Sequence, residues 1–177
     1  MSSPVFLRGD VVELRTLDED ALEFLHEGVN DPGVWVSLGV HGPVHEPESE
    51  EWYEEVTSGE DVLQFLVAGD GRPVGSVTAF EVNRSNGHAT LGCWIASDEQ
   101  GNGYGPDATR TLMRYLFDHQ RLHTLQATAF AFNDASRRTL ERVGFREVGC
   151  LPEWVFVDGE YHDTLVYAVT VGDWRAH

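Results

Sequence analysis

Three glycines at alternate positions divide the stretch EQGNGYGPDATRTLMRYLF, which begins at Glu99 and contains Gly101, Gly103 and Gly105. Glycine loses more backbone entropy on folding than other residues, so a run of this kind interrupts regular secondary structure. The nearly apolar segment before it, residues 88–96, is typical of a strand that is buried on both faces. The residues after it are typical of a helix. The pattern therefore predicts a strand, a glycine-rich turn and a helix N-terminus in succession.

The other segments predict further strands and helices in a defined order. Residues 5–17 indicate two short strands, and residues 18–30 indicate a helix with Asp18 as its N-cap. Proline and glycine break residues 30–47 into a loop, which a short acidic helix follows. A hairpin precedes the apolar strand, and a strand, a helix and a final hairpin follow the glycine-linked helix. This order predicts one domain over residues 1–177, in which helices cover a mixed α/β sheet.

The charge balance excludes two classes of partner. The chain carries 30 acidic and 12 basic residues, for a formal net charge of −18, and every basic residue is an arginine. A chain this acidic repels nucleic acids and anionic lipid surfaces, so we expect neither as a partner. The composition is similar to that of cytosolic proteins from salt-accumulating halophiles. Molar salt shortens the Debye length to ~3 Å and would screen the repulsion between surface carboxylates.

The sequence also gives expectations about location and metal binding. The N-terminus has no secretory signal and no apolar run is long enough to cross a bilayer, so we expect a cytoplasmic protein. Cys93 and Cys150 lack metal-ligand spacing and are expected to be buried thiols in a reducing compartment. His41, His45 and Glu46 lie in a proline-broken segment without the spacing of metal ligands. No metal is therefore expected.

The glycine-rich turn has the properties of an anion-binding site. The first turn of a helix offers free N–H donors and a partial positive charge, and glycines let a ligand approach the backbone closely. A Walker loop is excluded because the chain has no lysine, and a Rossmann fingerprint requires G-x-G-x-x-G, whereas the sequence has G-x-G-x-G. Taken alone, the stretch fits a connecting turn as well as it fits a phosphate site.

Three motifs in the right order resemble the GNAT superfamily of N-acetyltransferases, in particular its ribosomal-protein-alanine (RimJ/RimL-like) branch. Residues 100–105 fit Q/R-x-x-G-x-G/A, NDASRRTLERVGF fits N-x-x-S followed by a helix and Gly-Phe, and DGEYHDTLVYAV fits the terminal hairpin. The resemblance implies a GNAT-like mixed, mostly antiparallel twisted sheet of about seven strands flanked by about four helices. It implies acetyl-CoA as co-substrate and a primary amine as acceptor, first of all a protein N-terminal amine. A polyamine or an aminoglycoside-like amine is the alternative acceptor, and a homodimer is one possible assembly.

The resemblance implies where coenzyme A would bind. Amides of the turn would hold its pyrophosphate at the N-terminus of the following helix. The residues of this turn are Gln100, Gly101, Asn102, Gly103, Tyr104 and Gly105. The end of the preceding strand, at Trp94, Ile95 and Ala96, would pair with the pantetheine arm and help to polarise the thioester carbonyl. Asn133 would hold the pantetheine or adenine side, and Arg142 would meet a phosphate of the coenzyme.

The resemblance also implies direct attack of the amine on the thioester in a ternary complex, driven by positioning and carbonyl polarisation. Ser136 would lie near the sulfur as the candidate acid for the departing thiolate. Relatives often carry a glutamate where this chain has Thr90, which cannot act as a general base. Glu81, His88, Glu153 or a water relay are the substitutes. A non-catalytic CoA-binding or regulatory domain is the alternative from a different functional class.

Two further expectations concern the helix start and the acceptor. Pro106 has no N–H to offer a phosphate and disfavours helical geometry at Gly105, so we expect the helix to begin one or two residues late. Trp35, Trp52 and Tyr53 are candidates to line the acceptor site, with packing in the core as the alternative.

Overall fold

The structure, a computed structural model, describes residues 3–177, apart from the side chains of residues 19, 46–50 and 56. The side chain of Glu46 therefore lies outside the described residues. Within residues 3–177 the chain forms one eight-stranded sheet. Its strands are β1 (Val5–Arg8), β2 (Val12–Arg15), β3 (Leu63–Gly69), β4 (Arg72–Asn83), β5 (His88–Ile95), β6 (Thr124–Phe130), β7 (Arg146–Val157) and β8 (Glu160–Thr170).

Six α-helices within the same described range accompany the sheet, and a short 3₁₀ turn at Ser97–Glu99 follows β5. The helices are α1 (Glu19–Asn30), α2 (Pro32–Leu38), α3 (Glu46–Ser58), α4 (Tyr104–Asp118), α5 (Asp134–Arg142) and α6 (Val171–Ala176). The expected mixed, mostly antiparallel sheet is confirmed, with eight strands rather than about seven and six helices rather than about four. The additional helices are the short α2 and α6. None of the described helices combines the length and the hydrophobicity needed to cross a bilayer.

The sheet has a single parallel strand pair among its described neighbours. The strand order is β1-β2-β3-β4-β5-β6-β8-β7, and every adjacent pair is antiparallel except β5 and β6. Parallel neighbours need a crossover connection, and α4 provides it. The chain therefore leaves the carboxyl end of the central strand β5 and, after the 3₁₀ turn, enters α4.

The expectation of a loop over residues 30–47 is wrong for Pro32–Leu38, which form α2. Asp31 caps this helix by accepting a hydrogen bond from the Gly33 amide (2.7 Å), and Pro32 occupies its first turn, where no amide donor is needed. Gly39 ends it in the left-handed conformation, with φ of 69°. The proline and glycine that predicted a loop are thus helix caps. The Asp18 cap of α1 is confirmed, since its side chain accepts from the Ala21 amide.

Different helices cover the two faces of the sheet. On one face α4 buries Leu112 and Leu116 in the main core. On the other face α1 contributes Leu25, which packs with Leu66 of β3 and with the partly buried Trp52 of α3. Both helix layers are needed because a central sheet presents apolar side chains in both directions.

The expectation that β5 is buried on both faces is wrong. Ala89 and Leu91 are buried beneath α4, whereas Thr90, Gly92 and Trp94 on the opposite face are only partly buried. On this second face Trp94 stacks on Phe24 of α1, but the strand also borders a cavity, described below, instead of a fully packed core.

A buried carboxylate fixes the first turn of α4 to the β1–β2 turn. Oδ2 of Asp107, which is 5% exposed, accepts hydrogen bonds from the amides of Val11 (2.8 Å) and Val12 (3.1 Å). Gly9 leaves room for this contact, because a Cβ there would lie 2.4 Å from Asp107 Oδ2. The N-terminus of α4 is therefore held in place from outside the turn that precedes it.

Candidate active site

The glycine turn, residues 100–105, presents a set of free main-chain donors. Gly101 and Gly103 have left-handed φ values of 85° and 82°, and the space next to both is open. Gly103 is the N-cap of α4. Among the described residues, none accepts a hydrogen bond from the amides of residues 101–105. Unpaired donors at the positive end of a helix, next to open space, are suited to an anion.

Three side chains of the turn form hydrogen bonds with neighbouring protein groups and so stabilise it. Gln100 Nε2 donates to the Ile95 carbonyl (3.0 Å), and Asn102 Nδ2 donates to the Glu99 carbonyl (3.1 Å). The buried Tyr104 hydroxyl donates to Asp70 (3.1 Å), and this hydrogen bond is the main reason why the pKa of Tyr104 is raised. Asn102 and Tyr104 can therefore offer a ligand their amides, while the described side-chain contacts of all three residues stabilise the turn.

The expectation that α4 begins late is wrong. The helix begins at Tyr104, so Gly105 and Pro106 occupy its second and third positions. Proline is tolerated there because amides of the first turn have no partner within the helix. Gly105 has no Cβ to clash with the proline ring, which removes part of the usual constraint on the residue before proline.

β5 and β6 separate beyond their first four paired residues. Pairing joins His88–Leu91 to Thr124–Ala127, but β5 continues to Ile95 and β6 to Phe130. Among the described residues, no strand pairs with the β6-facing edge of residues 92–95. We call this gap the β5–β6 opening. It ends at the glycine turn, and the Ala96 amide beyond it already donates to Val74 (2.9 Å).

Glu81 lies next to the position where relatives often carry a glutamate. Thr90 Oγ1 donates a hydrogen bond to Glu81 Oε2 (3.2 Å). A bulge in β4 between Phe80 and Asn83 brings the two side chains together. Glu81 itself lies in the left-handed region, with φ of 50°. An exposed carboxylate thus reaches position 90 from the neighbouring strand.

The other two candidate bases are placed differently. His88 is exposed at the start of β5, on the same face as Thr90. Glu153 lies in a bulge of β7, and its amide donates to Asp163 (2.8 Å). Three strand spacings, about 14 Å, separate β7 from β5. Of the three candidates, Glu81 is the one with a direct contact to position 90.

The predicted residues of α5 lie at opposite ends of that helix. Asn133 is its N-cap and accepts from the Ser136 amide (3.0 Å), a structural role that sequence reasoning missed. Ser136 is half-buried in the first turn, whereas Arg142 is exposed in the last turn. Six residues of helix separate them by about 9 Å along the axis. The structure therefore does not bring Arg142 next to Ser136.

A cavity of ≈ 320 Å³ lies between α1, α3 and the sheet, and we call it the helix–sheet cavity. Its described lining is formed by Leu22, Leu25, His26, Val29, Leu38, Val40, Val44, Trp52, Gln64, Thr78, Phe80, Gly92, Cys93 and Trp94. Trp52 was a candidate for the acceptor site and lies here, whereas Trp35 and Tyr53 are not among the lining residues. Sequence reasoning missed Gln64, whose signal is a polar residue on an otherwise apolar strand face.

The two cysteines differ in environment. Burial raises the pKa of the Cys93 thiol to about 12, so it stays protonated at neutral pH and is a poor nucleophile. Cys150 is exposed on the edge strand β7, so its expected burial is wrong. Within the part of the chain that the structure describes, no group of three or more His, Cys, Asp or Glu side chains is arranged to hold a metal ion.

Comparison with known proteins decides the family. The model of the acetyltransferase (GNAT) domain matches residues 12–146. The chain belongs to this family. It is 30% identical over 102 residues to the ribosomal protein uS5-alanine N-acetyltransferase of Escherichia coli (strain K12), covering 57% of this chain and 53% of that enzyme. The chain thus spans about half the length of that relative.

Two spermidine acetyltransferases are similar over more of the chain. The spermidine N(1)-acetyltransferase of Escherichia coli (strain K12) is 25% identical over 157 residues, which cover 87% of this chain and 83% of that enzyme. A crystal structure of spermidine N-acetyltransferase from Vibrio cholerae, in complex with CoA and spermine, matches with a TM-score of 0.86 and 24% identity. It covers 93% of this chain and 98% of that one. This likeness shows a shared fold.

Gly103→Ala should lower the free energy of unfolding by about 1–2 kcal/mol, because an alanine Cβ disfavours the left-handed conformation. Gly42→Ala is the matched control: it also faces open space but lacks a left-handed φ, so its effect should stay within about 0.5 kcal/mol. Denaturant unfolding of both variants measures the difference. Equal stability of the two variants would contradict the left-handed turn at Gly103.

Proposed function

We propose that this GNAT-family chain transfers the acetyl group of acetyl-CoA to a primary amine. The observation that carries the proposal is the set of free amides at residues 101–105, which adjoins the β5–β6 opening. A diphosphate needs several N–H donors that the protein does not use itself, and a pantetheine arm needs an unpaired strand edge. The two requirements meet at the end of β5.

The turn would hold the coenzyme mainly with its backbone. Gly101 and Gly103 leave room for phosphate oxygens beside their amides, and the α4 dipole adds positive potential. The open edge of β5 at Ile95 would pair with the pantetheine amides, whereas the main-chain groups of Trp94, expected to take part, face Ser76 of β4. Ala96 contributes less than first expected, since its N–H is already bonded. The contacts of Asn133 and Arg142 with the coenzyme remain predictions.

Acetyl-CoA supplies an activated thioester, and the chain has to deprotonate the amine and protonate the departing thiolate. Glu81 is our candidate base because its carboxylate reaches position 90 through the hydrogen bond from Thr90. His88 and a water relay are the alternatives. Ser136, half-buried at the start of α5, is the candidate acid. An amine that attacks the thioester directly requires no covalent acyl-enzyme. The protonated Cys93 thiol fits this mechanism, because it is a poor nucleophile for forming one.

The acceptor that we place first is a protein N-terminal amine, as for enzymes of the RimJ/RimL-like branch. Similarity to the uS5-alanine N-acetyltransferase favours it, and similarity to spermidine N-acetyltransferases supports a polyamine as the second candidate. A homodimer in the cytoplasm remains part of the proposal.

Acetyl-CoA binding and turnover should be measured on the same protein. Calorimetry with acetyl-CoA should show binding, and a thiol reagent should detect CoA release when a peptide or a small amine is added. Binding without release on any acceptor would favour the non-catalytic CoA-binding domain. Absence of binding would overturn the proposal and its alternative together.

Glu81→Gln should lower kcat by a factor of about 10²–10⁴, the range for loss of a general base, while the affinity for acetyl-CoA stays unchanged. The glutamine keeps an oxygen that can accept the hydrogen bond from Thr90. Glu153→Gln is the control, because it makes the same chemical change three strands away. If Glu81→Gln kept full activity and Glu153→Gln lost activity, the general base would instead be Glu153 on β7.

We also propose that the chain is adapted to high salt. At low ionic strength a net charge of −18 destabilises the compact state through self-repulsion, and molar KCl screens this repulsion. The melting temperature and the activity should therefore rise from dilute buffer to molar KCl. Full stability and activity in dilute buffer would refute the adaptation without affecting the enzyme assignment.

A further inference from the structure

The glycine turn has to be ordered if it is to hold a diphosphate, as proposed above. Gly101, Gly103 and Gly105 give it more backbone freedom than other residues would, so fixing it costs more conformational entropy. A site whose donors are already fixed when the ligand arrives avoids most of this cost. The contacts that order the turn therefore contribute to the affinity for its ligand.

The turn between β3 and β4 contacts both ends of the glycine turn. Before the glycine turn, Nη2 of Arg72 pairs with Oε1 of Glu99 (3.1 Å). After it, the hydroxyl of Tyr104 donates to Oδ2 of Asp70 (3.1 Å). Tyr104 is the first residue of α4, and its amide is one of the free donors. The glycine turn is therefore held between two contacts with one hairpin.

The backbone of this hairpin gives the Asp70 carboxylate a defined position. Asp70 and Gly71 form a two-residue connection between the paired residues Gly69 and Arg72. Both have left-handed φ values, 50° for Asp70 and 77° for Gly71. Two successive left-handed residues are typical of a type I′ turn, for which Asp-Gly is a preferred sequence. The acceptor of the Tyr104 hydrogen bond thus lies on a tight turn between two paired strands.

Gly69 allows the ring of Tyr104 to reach this hairpin. A Cβ on Gly69 would lie 2.6 Å from Cζ of Tyr104, so the ring lies directly against the backbone at the end of β3. The Tyr104 side chain is also part of the main core. With its ring packed and its hydroxyl bonded to Asp70, Tyr104 is restrained at the point where the glycine turn becomes a helix.

From these contacts we infer that Asp70 is a positioning residue for the coenzyme. Through its hydrogen bond with Tyr104 it orders the glycine turn and so raises the affinity for acetyl-CoA, without touching the coenzyme itself. This inference rests on the proposed binding of acetyl-CoA to the turn. When the hydrogen bond is lost, the turn populates conformations whose amides do not converge, and the apparent dissociation constant rises as the competent fraction falls.

Asp70→Gly and Asp70→Asn test this role without straining the hairpin, because glycine and asparagine both tolerate the left-handed conformation. Asparagine keeps an oxygen that can accept from Tyr104, whereas glycine removes it. Calorimetry should give a dissociation constant for acetyl-CoA close to the wild-type value for Asp70→Asn. The constant should be about 3- to 10-fold higher for Asp70→Gly, the range for loss of one hydrogen bond. A ratio below threefold between the two variants would overturn the inference.

Tyr104→Phe removes the other partner of the same hydrogen bond and keeps the ring. Its dissociation constant for acetyl-CoA should also rise about 3- to 10-fold. Tyr115→Phe is the matched control, since it removes a hydroxyl near the other end of α4 that accepts from Gln120 (2.8 Å). Both variants should lose a similar amount of stability in denaturant unfolding, whereas Tyr115→Phe should bind acetyl-CoA like the wild-type chain. Equal weakening of binding in the two variants would reduce the effect to general destabilisation and refute the role of Asp70.

The combination of Tyr104→Phe with Asp70→Gly shows whether the two side chains act through one contact. The double variant should bind acetyl-CoA about as weakly as either single variant, because both changes remove the same hydrogen bond. Effects that multiply would contradict the inference. If the wild-type chain fails to bind acetyl-CoA, the proposed function fails; if it binds and all variants bind equally well, only this inference fails.

Discussion

A parallel pair of strands cannot be closed by a tight turn, and this constraint organises the candidate site. The chain must cross from the end of β5 to the start of β6, and α4 makes the crossing. The positive end of α4 therefore begins where β5 ends, beside the edge that β6 leaves uncovered. One connection thus places the proposed phosphate site next to the proposed site for an extended arm.

The proposed anion site lies in a chain whose net negative charge repels anions. With a net charge of −18 and no lysine, the chain cannot surround a phosphate with ammonium groups. Main-chain amides and a helix dipole provide local positive potential without changing the net charge. Arg72 pairs with Glu99, the residue just before the turn (3.1 Å). In the proposed site, amides next to Gly101 and Gly103 would replace the lysine that other phosphate-binding loops use.

The strand–turn–helix unit and the mixed sheet follow from the sequence because local patterns determine them. The apolar segment before the glycines and the helical segment after them are complete within about 30 residues, and the Asp18 cap needs only its own helix. The structure of residues 30–47 is harder to predict from the sequence, because proline and glycine occur at the ends of helices as well as in loops that interrupt them. The Asp31 side chain decides between these roles, and its capping bond is visible only in three dimensions.

The pairing of Glu81 with Thr90 depends on register, which local sequence patterns do not fix. A one-residue bulge in β4 turns Glu81 towards Thr90, and without it the carboxylate would point elsewhere. The roles assigned to individual residues of the candidate site remain predictions for the same reason.

β5 also connects the proposed coenzyme site with the helix–sheet cavity. Ser97, just beyond β5, donates to Asp31 Oδ1 (2.6 Å), and Asp31 is both the C-cap of α1 and the N-cap of α2. Gly33 packs so closely here that a Cβ would lie 2.1 Å from the Ser97 hydroxyl. The segment that leads into the glycine turn is therefore held against the helices that wall the helix–sheet cavity.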